Sequence, residues 1–324
     1  MTVTFAKPPA AHEANEQQQA STSSWFSRSA AKALVAGGSQ AEPAAAATAS
    51  AKSFVDSVIS ELAEDGPAWL RRTEFEWDLT QRQQPEFSLL TIQPLYRSSG
   101  GIDTVFVQAR IAYGRGRRTT GNLGFGYRRL IMNGTAMLGA NAFYDYEWPY
   151  SHARWGLGVE VRSGPVELNS NIYHALSGRS QITTNTHERA LDGYDVELGV
   201  QVPYLPWARV YARRFHWQKK EGARNINGQR LALRIQPDFP LEIEAGVQDD
   251  NVTNSAYFVL FRVSLVLGRQ DSPRALPLID KRPFRTVDLH DVTLEPVRRE
   301  NTIRVEQTTT GAAGTATVTI SRGT

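Results

Sequence analysis

Six histidines, His12, His152, His174, His187, His216 and His290, are the side chains of this 324-residue chain best suited to move a proton near neutral pH. A hydrolase would need one of them within about 3 Å of a nucleophile. His174 shares a period-two face with Ser170, but four residues along a strand span about 13 Å, so a base for Ser170 would have to come from a neighbouring strand. Ser177-Gly178 follows a strand end, and no serine sits in a Gly-x-Ser-x-Gly elbow. Cysteine is absent, which removes disulfides, thiolate metal sites and Cys nucleophiles and leaves the redox compartment open. The acid pairs Glu242/Glu244 and Asp249/Asp250 could hold a divalent cation. Alternate acids on one strand face are more simply a hydrated wall, and adjacent acids at a loop a solvated tip. Gly124-x-Gly126 opens no helix and so is no nucleotide loop. Lys219-Lys220 is too small a basic cluster to bind nucleic acid. The expectation is a protein that is not an enzyme, with no cofactor, no metal and no nucleic-acid partner.

The elements carrying these residues determine what else the chain can be. Net charge is +3, 41% of residues are hydrophobic and 21% charged, and mean hydropathy is −0.39 with a pI near 9.1. A membrane-spanning helix needs roughly 18 uninterrupted apolar residues. The best run, Val259 to Leu267, is short and contains Arg262, which excludes a helical membrane protein. The first fifty residues, rich in Ala, Ser, Gln and Pro, read as disordered. Nothing at Met1 has the charged start and apolar centre of a secretory signal, so export is expected to use an atypical signal or a different start. Phe54, Val55, Val58, Ile59 and Leu62 fall at helical spacing, predicting a short amphipathic helix over 51–66 that Gly66-Pro67 stops.

After Trp69 the period switches to two. Tyr194, Val196, Leu198, Val200 and Val202 alternate with Asp195, Glu197, Gly199 and Gln201, a separation of faces that only a strand can make. About twelve such segments lie near 71–80, 86–97, 102–113, 118–131, 135–147, 152–163, 165–175, 191–203, 206–217, 227–236, 240–249 and 254–267. A soluble β-sandwich would use the apolar face as core, but sandwich strands average only about five or six residues. Charged residues recur in mid-strand, among them Arg110, Arg128, Glu160, Glu167, Arg234, Glu244 and Arg262, with glycine between them. That mixture suits a wet lumen crossed by another segment of chain. Tyr113, Tyr127, Tyr144, Tyr146, Tyr194 and Tyr257 near the ends of apolar faces fit an interfacial girdle. Compact turns, Asn133-Gly134, Ser163 to Pro165 and Pro203 to Pro206, alternate with a set that includes the long polar stretches 176–190 and 218–226. Short turns at one end and longer loops at the other mark an outer-membrane barrel. The fold class is therefore all-β: an antiparallel up-and-down transmembrane β-barrel of about 12 strands, preceded by a short amphipathic helix. The segment 206–217 fits worst, because Arg209, Tyr211, Arg213 and Phe215 oppose Val210, Arg214 and His216 without clean separation.

Gly124-Phe125-Gly126-Tyr127-Arg128-Arg129, the run Met137 to Tyr146, Arg154 to Glu160, Leu168 to Tyr173 and Glu188 to Val196 resemble the β-domain of inverse autotransporters, the intimin and invasin family. The likeness spans roughly 52–306 and is densest over 120–206. It implies a twelve-stranded outer-membrane barrel whose C-terminal linker threads the pore to display a passenger, often an adhesin. The organisation expected is a disordered 1–50, a periplasmic helix 51–66, the barrel 69–268, and a pore-threading linker with a C-terminal tail, 269–324. Gly268 to Pro296 is polar and Pro-rich, and Val297 to Glu306 is similar to the family's approach to its first extracellular segment. No export signal or lysin-motif-like module is evident, and a Thr-, Gly- and Ala-rich tail stands where a long passenger is expected.

The expected function is anchoring and translocation of a C-terminal segment to the cell surface, type V secretion, by a positional mechanism without bond chemistry. Asn141, Phe143, Asp145, Arg154, Glu160, Asp195 and Glu197 are the expected lumen or linker-contacting residues. Expected partners are outer-membrane lipid and the chain's own linker and, by the resemblance, the barrel-assembly machinery and periplasmic chaperones. A passenger-less pore or vestigial barrel is the alternative, and an outer-membrane hydrolase using His174 a third.

Overall fold

A strand with one apolar and one charged face is stable only where the two faces meet different surroundings, and its unpaired edges must be covered. In the computed structural model, which describes residues 72–80, 85–114, 117–222, 224–238, 241–265, 277–284, 288–310 and 316–321, twelve such strands close into a ring. They are β1 (Thr73–Thr80), β2 (Glu86–Arg97), β3 (Asp103–Gly114), β4 (Arg118–Ile131), β5 (Ala136–Trp148), β6 (His152–Ser163), β7 (Val166–Ala175), β10 (Asp192–Gln201), β11 (Ala208–Gln218), β12 (Ile226–Asp238), β13 (Leu241–Asp250) and β14 (Ala256–Leu265). Each pairs antiparallel with its neighbours, and β1 closes the barrel against β14, Thr80 facing Phe258. All except β1 run for 10 residues or more, enough to cross a bilayer at a tilt. The disordered segment 1–50 and the helix 51–66 lie outside the described residues.

The distribution of side chains is inverted relative to a water-soluble fold. Arg128, Asp145 and Arg154 are at most 1% exposed, whereas Phe125 is 53% and Val159 58% exposed. Along β4 the alternation puts Arg118, Thr120, Asn122 and Arg128 inside and Leu123, Phe125 and Tyr127 outside. An outward apolar band around a charged interior requires a hydrocarbon solvent outside, the arrangement of a transmembrane barrel. Among the described residues no helix is long and apolar enough to span a membrane.

Strand β11 explains its own poor patterning. Tyr211, Phe215 and Trp217 face the lumen and are at most 5% exposed, because arginines stack on them: Arg234 and Arg298 over Tyr211, Arg154 over Trp217, and Arg304 over Phe215 and Trp217. An aromatic lumen face weakens any contrast read from polarity alone. Gly124 and Gly126 of β4 have a similar packing purpose. A Cβ at either would come within 2.3 Å of the Phe143 ring or 2.1 Å of the Phe106 ring. The two glycines are seats on which these rings lie flat against the wall.

The two ends of the barrel differ less in loop length than the sequence implies. Residues 132–135 and 164–165 make compact turns at one end, with Asn133 and Gly134 at positive φ. At the opposite end the connections 115–117 and 149–151 are equally short. The asymmetry comes mainly from 176–191 and 219–225. The first of these is also not the irregular loop its polarity suggests. It contains β8 (Arg179–Thr183) and β9 (Thr186–Ala190), which join β15 (Val305–Thr310) and β16 (Ala316–Ser321) in a four-stranded sheet ordered β16-β15-β9-β8. Their short, polar alternation lacks the apolar face by which strands are recognised in a sequence.

Candidate functional site

The lumen is occupied by the chain's own C-terminal linker, which runs from the end bearing turn 132–135 to the end bearing β8 and β9. At the turn end, Asp280 N donates to the Tyr204 carbonyl, Trp207 Nε1 to the Leu278 carbonyl and Leu289 N to the Gly134 carbonyl. A short 3-10 turn, Leu289–Val292, packs Leu289 against Leu130 and Met137. From there to β15 the described linker has no regular secondary structure, so its buried peptide groups need partners from elsewhere.

The wall supplies them. Arg128 Nη1 donates to the carbonyls of Thr293 and Glu295 at 2.9 and 2.7 Å, and Val297 N donates to Gln108 Oε1 at 2.9 Å. Asn171 Nδ2 donates to the Arg298 carbonyl and Asn122 Nδ2 to the Asn301 carbonyl. Arg154 reaches the carbonyls of Glu300 and Thr302 at 2.7 and 3.3 Å, and Glu300 N donates to the Tyr173 hydroxyl. Three apolar contacts punctuate the path: Leu289 at the turn end, Val297 against Ile92, Phe106 and Phe143 midway, and Ile303 against Ala190 and Val305 at the loop end.

The linker's own arginines lock into the same wall. Arg299 donates two hydrogen bonds to Asp145, 2.8 and 2.7 Å, and lies 4.1 Å over the Phe143 ring. Arg298 pairs with Glu197 and Glu244. Such guanidinium-carboxylate pairs in a buried setting are costly when either partner is lost.

Asn141, Phe143, Asp145, Arg154, Glu160, Asp195 and Glu197 are each at most 8% exposed. Asp145, Arg154, Phe143 and Glu197 touch the linker directly. Glu160 instead receives a two-pronged hydrogen bond from Arg128, 2.7 and 3.0 Å, and so orients the side chain that does the holding. Asp195 accepts from Asn171, Tyr173 and Arg213, again one step removed. Asn141 packs beside Gly158, where a Cβ would fall 2.6 Å from its Oδ1. Gln108, Asn122, Asn171 and Tyr173 also hold the linker, and nothing in the sequence marks them, because neutral polar residues on a lumen face look alike until the linker's carbonyls are placed.

Beyond the lumen the linker enters the four-stranded sheet, β15 pairing with β9 from Val305 opposite Ala190 to Thr309 opposite Thr186. Glu188 of β9 fastens this sheet to the barrel. It accepts from both Arg118 amino groups, 2.6 and 2.7 Å, and lies 3.2 Å from His152 Nε2. Burial raises the Glu188 pKa, but the His152 hydrogen bond and the Arg118 charge outweigh it and hold it below the ordinary carboxylate value. Glu221 joins from the other side, accepting from Arg179 and Thr308.

The histidine, serine and acidic residues of chemical interest lie elsewhere. Ser170 and His174 lie on the outward face of β7, with His174 against Trp155 and Asp192. Glu242 and Glu244 are neutralised by Arg234, Arg262, Arg230 and Arg298. Asp250 caps the turn at Val252 and Thr253, and Asp249 accepts from Ser255. Opposite the linker, the lumen keeps a cavity of about 700 Å³ whose wall includes Glu74, Glu76, Arg230, Arg234 and Arg262.

A family model for the inverse autotransporter β-domain matches residues 18–301. An Escherichia coli (strain K12) protein described as an attaching and effacing protein homolog is 31% identical over 121 residues, 37% of this chain and 40% of that protein. The matched stretch thus spans less than half the length of that relative. A solved chain from work on in-meso crystallization of membrane proteins superposes with a TM-score of 0.60 at 20% identity, covering 73% of this chain and 99% of that chain. The KdgM porin gives 0.42 at 10% identity, covering 60% and 98%. With a closed twelve-stranded barrel, an inverted side-chain distribution and a match over most of its length, the chain belongs to the inverse autotransporter β-domain family and is a barrel of the bacterial outer membrane.

Proposed function

We propose that the barrel anchors and translocates its C-terminal segment to the cell surface, with the loop end outside and the turn end in the periplasm. The observation that carries this reading is the path of the linker: an extended chain crosses the whole lumen, its peptide groups bound by wall side chains, and enters a sheet at the far end. A resident plug that merely closed a pore would have no reason to leave at the opposite mouth as a strand. The mechanism is positional. Outward apolar residues hold the barrel in lipid, the lumen replaces the water that an extended chain would otherwise need, and β9 templates the first strand beyond the pore. Assembly through the barrel-assembly machinery and periplasmic chaperones belongs to the same proposal, as does display of an adhesive passenger.

An epitope fused after Thr324 of the full chain tests the reading. It should be reached by antibody on intact cells; detection only after permeabilisation would sink the proposal. The second reading, a passenger-less pore, is favoured by the residual cavity. It predicts steady conductance in planar bilayers, where a linker-filled barrel stays mostly closed.

A further inference from the structure

Among the described residues the outward surface carries one charge well inside a strand, Arg214. Among the described strands, other outward-facing charges sit at or near strand ends. Asp103 and Arg129 pair at the turn end, and Asp192 and Asp249 lie at the loop end, where Asp192 meets Lys220 and Asp249 meets Ser255. Arg214 is different. It stands on β11 four residues before Gln218, exposed, opposite Val196 on β10 and Gln229 on β12. Among the described residues it makes no ion pair or side-chain hydrogen bond. Gln229 beside it is likewise exposed and without a side-chain partner.

One step nearer the loop end, His216 Nδ1 lies 2.7 Å from Asn227 Oδ1, and its ring stacks on outward-facing Tyr194 at 5.3 Å. The loop that joins β11 and β12 carries Arg224, exposed and also without a partner among the described residues. An unpaired arginine facing hydrocarbon is costly near the midplane and tolerable where its head can rise to the headgroups. From four residues below the strand end the guanidinium can do so, and a guanidinium fork matches a phosphate monoester with two parallel hydrogen bonds. Amide donors and a stacked ring at headgroup level complete a surface for a phosphorylated sugar.

We infer that the outward face of β10 to β12 binds the phosphorylated glycolipid of the outer leaflet, with Arg214 holding a phosphate and Gln229 a neighbouring oxygen. The contacts fix the rotational setting of this side of the barrel in the membrane. The inference takes from the proposed function only that the loop end faces outward.

The full chain in detergent is titrated by native mass spectrometry with lipid A carrying two, one or no phosphates, and separately with phosphatidylglycerol. Wild type is expected to retain the bisphosphorylated lipid best, and Arg214→Gln to weaken that retention by about tenfold, the worth of a charge-assisted hydrogen bond. Arg129→Gln, at the other end, should leave it unchanged. Equal retention by Arg214→Gln and wild type overturns the inference. If that variant does not fold, the wild-type series decides, because indifference to phosphate number overturns it as well. Retention of phosphatidylglycerol as strong as that of lipid A overturns the glycolipid assignment. Binding in detergent does not depend on which end faces outward, so failure here is distinguishable from failure of the epitope to reach the surface.

Discussion

Two walls of the same lumen are built from the same residue types and do different things. On β4, β6 and β7, Arg128, Arg154 and Asn171 turn to the linker's carbonyls, and the two arginines are at most 1% exposed. On β1, β12, β13 and β14, Arg230, Arg234 and Arg262 turn to glutamates on neighbouring strands, with side chains 13–20% exposed to the cavity. The first wall is a set of donors with a chain to hold. The second is a lattice neutralised largely within the wall, with Arg298 of the linker paired to its Glu244. Burial makes the first expensive to disturb, since a deprived partner has no water to turn to, while cavity water softens losses on the second.

The largest effect should come from Arg154→Ala, which deprives Asp145 of one of its two arginines and frees the Glu300 and Thr302 carbonyls. Breaking such a buried pair costs about 3 kcal/mol. Urea unfolding of the refolded barrel should register it together with faster proteolysis of the linker; an unchanged unfolding midpoint would mean that the two walls are energetically alike. Gly126→Ala tests the seat of the Phe106 ring on the same wall, where a Cβ would fall 2.1 Å from the ring. Overpacking there should cost about 1–3 kcal/mol, and a wild-type midpoint would show that the ring is free to shift. Arg262→Gln, on the cavity wall, should cost less in the same assay, about 1–2 kcal/mol, because its side chain is 17% exposed where that of Arg154 is fully buried. It leaves Glu74, Glu76 and Glu242 in excess, so any current through the cavity should become more cation-selective; no change in reversal potential would place the ions elsewhere.

The smallest effect belongs to the exit sheet and depends on pH. Glu188 is held below the ordinary carboxylate value in the folded protein. Its contribution is therefore complete above the ordinary carboxylate range and is lost as pH falls through its depressed value. Protection against hydrogen exchange at β9 and β15, taken relative to the intrinsic amide rate at each pH, should fall under acid before that of the barrel strands, and Glu188→Gln should give the same low protection at neutral pH. Protection that falls equally in sheet and barrel as pH drops would count against this anchor.

Legibility in the sequence follows the range of the interaction. Tyr194 to Gln201 announces a strand and its two faces because side-chain direction alternates residue by residue, and the same rule marked out the twelve barrel strands. The contrast is weakest at β11, which still reads as a strand although its lumen face is aromatic, and it is missing at β8 and β9, whose polar residues read as a loop. The candidate contacts were legible in kind, as mid-strand charge, but not in partner. Glu160 and Glu197 look equivalent in sequence, yet one orients Arg128 and the other meets Arg298.

By itself, then, the sequence determined a barrel with a charged interior, an apolar exterior and a polar linker after the last strand. Each follows from local periodicity and from the absence of any long apolar helix. Only the tertiary structure decided which wall the linker lies against, where its peptide groups find donors, and that it leaves as a strand beside β9. Those facts depend on contacts such as Arg299 with Asp145, 154 residues apart. Closure of the ring sets the positions of such partners, and no local pattern encodes it.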